Sequence, residues 1–347
     1  MENKGRPRIA YLDNIRWTVI AMVVLIHACA TYSGIGDWYY NESGNAGPLE
    51  MLLFLLYESL SQAFFMGILF FIAAFLTPAA YDRKGPGRFI LDRLLRLGAP
   101  TLIYMLILDP LTNIIKAAGL GQPIPLPEIG RLYLAYITSG DVLSGTGPLW
   151  FALALLAFSV AYALARAVIE AIRGKARGPR PAKPRSTKVL NAWACALMAI
   201  IGLGSFFVRL VQPFGTSWLN MQLCFFTQYI VLFCAGLWAA RSGFLEWLSA
   251  ASGRFWLALS LLIGVPAWFL LMGFGGVLSG NFSELAGGWH WQAAGFALWE
   301  GFFCVSFSIG LLALYRERAN VRGRTSALLS DTCFGVYCFF WARYLRR

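Results

Sequence analysis

Charge is scarce in this sequence. Lys, Arg, Asp and Glu together make up 13% of the 347 residues, against about 25% in a typical soluble domain. A water-facing globular fold is thereby excluded for most of the chain. Histidine occurs only twice, as His27 and His290. The seven cysteines, Cys29, Cys195, Cys224, Cys234, Cys304, Cys333 and Cys338, all lie in apolar runs, and none shows Cys-x-x-Cys spacing. They read as small packing residues, so no metal, disulfide framework or permanently bound cofactor is expected. No Gly-x-Ser-x-Gly elbow and no phosphate-binding loop is present, which removes the serine-hydrolase and ATPase readings. No internal repeat and no intramembrane Lys/Asp pair is read, which weakens an inverted-repeat transporter. The short basic tail runs into an apolar segment with no small-residue cleavage site, so that segment is expected to persist as the first helix.

Long apolar runs are what the chain has instead. Hydrophobic residues make up 58% of it and the mean hydropathy is +0.61. Runs of roughly 18 or more apolar residues are candidate membrane spans. They are expected at 15–33, 49–78, 97–118, 147–169, 190–210, 219–240, 255–273, 291–314 and 328–345. The fold class that follows is all-α, a polytopic transmembrane bundle of about nine to ten spans forming a single domain over 1–347. The second run is long enough to tilt strongly or to break near its Gly.

Basic residues alternate between loops. Lys4, Arg6 and Arg8 lie in the N-terminal tail, Arg83, Lys84, Arg88, Arg93 and Arg96 in 79–96, and seven more in 170–189. Arg241 and Arg254 lie in 241–254, and four arginines in 315–327, whereas 34–48, 211–218 and 274–290 have none and 119–146 only Arg131. The positive-inside rule then places the N-terminus and the basic loops in the cytoplasm. The net charge of +12 is therefore a topology signal, and no nucleic-acid partner is expected. The loop RGKARGPRPAKPR within 170–189 reads as disordered, serving either as an anchor on anionic lipid headgroups or as a collector of an anionic donor.

The first span carries the most informative pattern. Asp13 and Arg16 stand at its cytoplasmic end, and His27 stands eleven positions beyond Arg16. Eleven residues make about three turns and a rise of about 16 Å, so both side chains project from one face. An ionisable group inside a span is costly and marks function by default. An imidazole can accept and return a proton near neutral pH. The plainer alternatives are an interhelical hydrogen bond for His27 and a snorkelling anchor for Arg16.

Arg16, ten intervening residues and then His27 match the arginine–histidine motif of the acyltransferase 3 family of membrane acyltransferases, which this chain resembles. SQAFFMGILFFIAAF (61–75) is similar to that family's aromatic second span. FILDRLLRLGAP (89–100) resembles its Arg-x-x-Arg segment, with Arg93 and Arg96 at the matching positions. GPLWFALALLAFS (147–159) resembles its Gly-x-Leu-Trp-Phe helix, and FALWEGFFCV (296–305) and LSDTCFGVY (329–337) its last helices. The branch resembles the enzymes that succinylate periplasmic glucans. The resemblance implies that His27 is the catalytic base, or carries a transient acyl group. Arg16, beside Asp13, would hold the anionic head of an acyl-coenzyme A donor, and Arg93 and Arg96 would add phosphate contacts. The acceptor would be a hydroxyl of an outer-side carbohydrate or glycolipid, at a bacterial inner membrane. In the family, the motif resembling FGVY is usually followed by His-Pro. Here the chain reads FGVYCFFWARYLRR, with Arg343, Arg346 and Arg347 out of register with the topology. An incomplete last helix with reduced activity is expected from that departure.

The chemistry suits these residues. An alcohol attacks a thioester poorly until a base takes its proton. Arginine is suited to bidentate phosphate contacts. At i,i+3 on a helix, Arg93 and Arg96 are expected to share a face; a surface anchor is their alternative. Glu58 and Glu300 lie inside spans and are expected to face protein or water, either orienting His27 or lining the acceptor path. Trp150 reads as packing beside the substrate path, Asp109 as a helix-ending residue, and His290 as part of an interfacial belt with Trp289 and Trp291. A lipid acyltransferase of the type with His followed by Asp is not supported, because Thr31 and Tyr32 stand where the acid is needed. The competing reading is a proton-coupled transporter or flippase in which His27 and Glu300 relay protons without covalent chemistry.

Overall fold

A backbone inside hydrocarbon must satisfy its own hydrogen bonds, which leaves helices as the structure open to isolated apolar runs. The computed structural model of the chain describes residues 9–35, 42, 46–119, 121–174 and 186–339. Among them, eight helical stretches are long and apolar enough to cross a membrane: Ala10–Ser33, Pro48–Lys84, Pro86–Ala118, Gly147–Arg173, Thr187–Arg209, Leu223–Ser242, Ala250–Phe274 and Trp291–Arg318. They fall on the first eight spans expected from the sequence, and the protein is an all-helical, multi-pass membrane protein. The ninth expected span begins in the helix Arg324–Phe339. Residues 340–347, on which the expectation of an incomplete last helix falls, lie outside the described residues. So do the basic tail 1–8 and the loop 175–185.

The helices sort into two units. The first comprises Met1–Phe75, Pro179–Gly215 and Cys224–Tyr337. Its spine is the eighth span, which packs on the first, fifth and seventh. Small residues let these backbones approach, as bilayer helices require in the absence of a hydrophobic drive between them. A Cβ at Gly301 would lie 2.6 Å from the carbonyl oxygen of Met198 and 2.8 Å from the nitrogen of Gly202. Gly301→Val is expected to cost about 1–3 kcal/mol through overpacking, read as a lower unfolding temperature in detergent. Along the same span an aromatic ladder of Phe296, Trp299, Phe303 and Phe307 stacks with centroids 5.1, 5.5 and 5.2 Å apart. Its last ring meets Phe64 at 4.5 Å.

The second span breaks at Ala63–Phe64, between the helices Pro48–Gln62 and Phe65–Lys84. The break falls a few residues before Gly67, close to where its length and glycine place it. Gln228 of the sixth span donates to the Ala63 carbonyl at 2.9 Å and so satisfies a group at the break. Gly67 is required for that approach, since a Cβ there would lie 2.6 Å from Gln228 Nε2.

The second unit comprises Leu76–Gly178, Thr216–Leu223 and Cys338–Arg347. Its third span is interrupted by two π-helical turns, Leu94–Gly98 and Tyr104–Leu108, each ending two residues before a proline, Pro100 and Pro110. A proline ring clashes with the carbonyl four residues earlier and supplies no N–H. Widening the preceding turn relieves the clash. The displaced carbonyls gain other partners: Tyr133 donates its hydroxyl to Leu106 at 3.1 Å and Tyr136 to Met105 at 2.9 Å. A π turn also precedes a proline in the first unit, Ser260–Gly264 before Pro266, and Trp299 Nε1 donates to the Gly264 carbonyl at its end at 2.7 Å.

Candidate functional site

The first span is one uninterrupted α-helix from Ala10 to Ser33. Its regularity keeps Arg16 and His27 on one face, because eleven residues at about 100° each return close to the starting direction. At its start, Arg16 Nη1 donates to Asp13 Oδ1 at 2.8 Å, with the guanidinium about a third exposed at 35% and the carboxylate at 16%. This pair sits one helical turn apart and is open to a competing anion.

His27 is half-buried. Its Nδ1 lies 2.6 Å from the carbonyl oxygen of Val23, one turn earlier. A carbonyl can only accept, so Nδ1 carries the proton and the basic lone pair belongs to Nε2. The same turn is tied by Thr31, whose hydroxyl donates to the His27 carbonyl at 3.0 Å. The helix therefore gives the ring one orienting bond and sets its tautomer.

The second span is zipped to the first. Ser33 donates its hydroxyl to Glu58 Oε1 at 3.0 Å, and Tyr57 donates to the Met22 carbonyl at 3.1 Å. Glu58 thus sits against the far end of the helix that carries His27, six residues beyond it or about 9 Å along the axis. Its partner is Ser33. Met22 and Ser33, the two anchoring points, bracket the histidine turn.

These features are an imidazole with a defined tautomer inside a span, an arginine in line with it at one end of the helix, and a carboxylate held at the other. A family model described as an acyltransferase domain matches residues 9–344. The chain belongs to the acyltransferase 3 family. No curated protein matches it, and no solved structure does.

The acyltransferase also contains an ion pair that the loop-by-loop reading of Lys and Arg passed over. Arg209 is the last residue of the fifth span and is fully buried. Its Nη2 donates to Glu300 Oε2, and Glu300 is 2% exposed. The guanidinium lies over Phe214 at 4.0 Å, with Phe225 and Phe296 at 5.6 and 5.7 Å. A lone charge there would cost several kcal/mol, and pairing with hydrogen bonding offsets that cost. Glu300 therefore meets Arg209 at its end of the bundle, and among the described residues no bond joins it to His27. The absence of Lys/Asp pairs did not mean an absence of intramembrane pairs. The available signal was two opposite charges inside separate apolar runs, neither of which can stay there alone.

In the second unit, Arg93 and Arg96 do not share a surroundings as their spacing suggested. Arg93 is half-buried, its guanidinium 5.1 Å from the Phe89 ring, with Nη2 3.5 Å from Thr77 Oγ1. Arg96 is 71% exposed and pairs with Asp92 at 2.9 Å. The π turn that begins at Leu94 lies between them and changes the angle per residue, so the i,i+3 rule for a regular α-helix no longer holds. Trp150 opens the helix Trp150–Arg173 after a 3-10 turn at Gly147–Leu149 and is half-buried. Asn220 fixes this turn by donating to Thr146 Oγ1 at 3.0 Å and to the Gly147 carbonyl at 2.9 Å. His290 precedes the eighth span, between Trp289 and Trp291 at 78% and 55% exposure. That suits an interfacial belt.

Proposed function

We propose that this acyltransferase moves an acetyl or succinyl group from cytoplasmic acyl-coenzyme A to a hydroxyl of an extracytoplasmic glycan or glycolipid, in a bacterial inner membrane. The observation that carries the reading is the Nδ1 contact of His27 with the Val23 carbonyl, which assigns the lone pair to Nε2. His27 takes the proton of the acceptor hydroxyl as its oxygen attacks the thioester carbonyl. A C–O bond forms, the tetrahedral intermediate collapses, and the C–S bond breaks. The imidazolium returns the proton to the departing thiolate, so the base is regenerated. Attack by His27 on the thioester first, giving a transient acyl-imidazole, balances equally.

The donor is an anionic head with a small acyl tip. Arg16, one-third exposed and already paired to a carboxylate, is suited to exchange Asp13 for a phosphate oxygen. Within the second unit, Arg96 is itself exposed, while Arg93 is partly withdrawn under Phe89. Arg16→Ala is expected to raise the apparent KM for acyl-coenzyme A about tenfold, the worth of one charge-assisted phosphate contact, with kcat much less changed. Initial rates against donor concentration, in membranes, decide this. A KM equal to that of the parent would leave Arg16 as a surface anchor.

The transporter reading receives no support from Glu300, because its carboxylate is engaged by Arg209. Radiolabelled acyl groups in extracytoplasmic glycan, dependent on both the protein and acyl-coenzyme A, are the direct test. Movement of substrate without a covalent product would reverse the choice.

A further inference from the structure

The Arg209–Glu300 pair uses only part of the guanidinium. Nε and Nη1 of Arg209 are buried and make no hydrogen bond among the described residues. One turn earlier on the same helix, the Ser205 hydroxyl is also fully buried and without a partner. Unmet donors of a charged group in a low-dielectric interior are expensive, and native structures retain them where a ligand or an ordered water completes them. The aromatic faces of Phe214, Phe225 and Phe296 surround the guanidinium.

We infer that the two free donors of Arg209, with Ser205, form the recognition site for the hydroxyl groups of a sugar acceptor. Nε–H and Nη1–H leave the guanidinium in different directions, so each meets a hydroxyl oxygen of its own. The serine oxygen can accept from a sugar hydroxyl in return. Apolar ring surfaces suit the C–H face of a pyranose, and a site with a few placed polar groups among aromatic walls is the usual form of a small-ligand pocket. Phosphate is a poor fit, because Glu300 already neutralises the guanidinium and a second anion would leave a net buried charge.

Phe214 closes this site. Its ring covers the guanidinium at 4.0 Å. Its backbone N–H is held to the Ala286 carbonyl at 3.0 Å, and Gly215 follows with φ at 81°. Entry of a sugar requires this segment to lift, and a glycine in the left-handed region next to the covering residue provides a point about which it can turn.

The inference rests on the acyl-transfer reading for its purpose, so binding and transfer are measured separately. The probe is methyl β-glucoside, with 1-propanol as an alcohol that lacks neighbouring hydroxyls. Binding is followed by tryptophan fluorescence of the purified full chain, and transfer by mass spectrometry with acetyl-coenzyme A as donor. Arg209→Lys keeps a charge for Glu300 but removes the fixed planar set of donors. It is expected to weaken glucoside binding at least tenfold while leaving the KM for acetyl-coenzyme A within twofold. The double variant Arg209→Met with Glu300→Met, which leaves no buried charge, is expected to stay folded, to lose glucoside binding, and to keep transfer to 1-propanol. Should Arg209→Lys fold poorly, Ser205→Ala supplies the same comparison with an expected threefold or greater weakening. Unchanged glucoside affinity in these variants, or no saturable glucoside binding by the parent, overturns the site. Glucoside binding that depends on Arg209, in a protein without His27-dependent transfer, would uphold the site and overturn the transfer reading instead.

Discussion

Replacing His27 by alanine is expected to lower acyl transfer by about a thousandfold or more, in the range that loss of a general base produces. Protein yield and unfolding temperature should change little. The contrast follows from the position of the ring. His27 bonds to the carbonyl of its own helix, one turn back. Removing it takes a second donor from a carbonyl that keeps its helical N–H bond and opens a small space, at a cost of about 1 kcal/mol. His27→Gln tests the mechanism further. An amide can replace the hydrogen bond to Val23 but cannot take a proton at the position of Nε2, so it should restore any lost stability and none of the rate. If His27→Gln transfers acyl groups as fast as the parent, the imidazole is not the base and the proposed chemistry fails at its first step.

Breaking the buried ion pair should have the largest effect on folding. Arg209→Met alone strands the Glu300 carboxylate at 2% exposure, and Glu300→Met alone strands a guanidinium that is fully buried. Either change is expected to cost about 3–5 kcal/mol, the usual penalty for leaving a buried charge unpaired. That is a large fraction of the stability of a typical domain, so low yield and an early thermal transition in detergent are the readouts. The double change to methionine should recover most of the loss, because neither charge then has to be kept out of water and methionine fills irregular space well. The signature is the strong non-additivity of the two changes in a double-mutant cycle. If the single variants are as stable as the parent, the two side chains are reaching water and the pair is not a closed one.

Much of this fold was legible in one dimension. The eight spans follow from the length and polarity of apolar runs; the three π turns each precede a proline, but Pro78 sits inside the regular helix Phe65–Lys84, so proline alone did not foretell them. The break in the second span lies close to its glycine, because a helix of 37 residues is about 55 Å long and the hydrocarbon is about 30 Å thick. Within the first span the alignment of Arg16 with His27 needed only helical periodicity. Arg93 and Arg96 show the limit of that reasoning, since the π turn at Leu94–Gly98 altered the local period.

The sequence by itself determined the medium this protein lives in, the helices it forms there, and the one face of the first helix that holds an arginine and a histidine. Those properties depend on composition and on repeats a few residues long, which chain geometry fixes locally. Only the tertiary structure decided that Glu300 closes on Arg209, that Glu58 reaches Ser33, and that two donors of Arg209 stay uncommitted. The two bonds join different helices, and the free donors depend on what surrounds Arg209. Which faces meet depends on how the helices rotate and cross when small residues such as Gly202 and Gly301 let them close, and neither angle is written in any single segment.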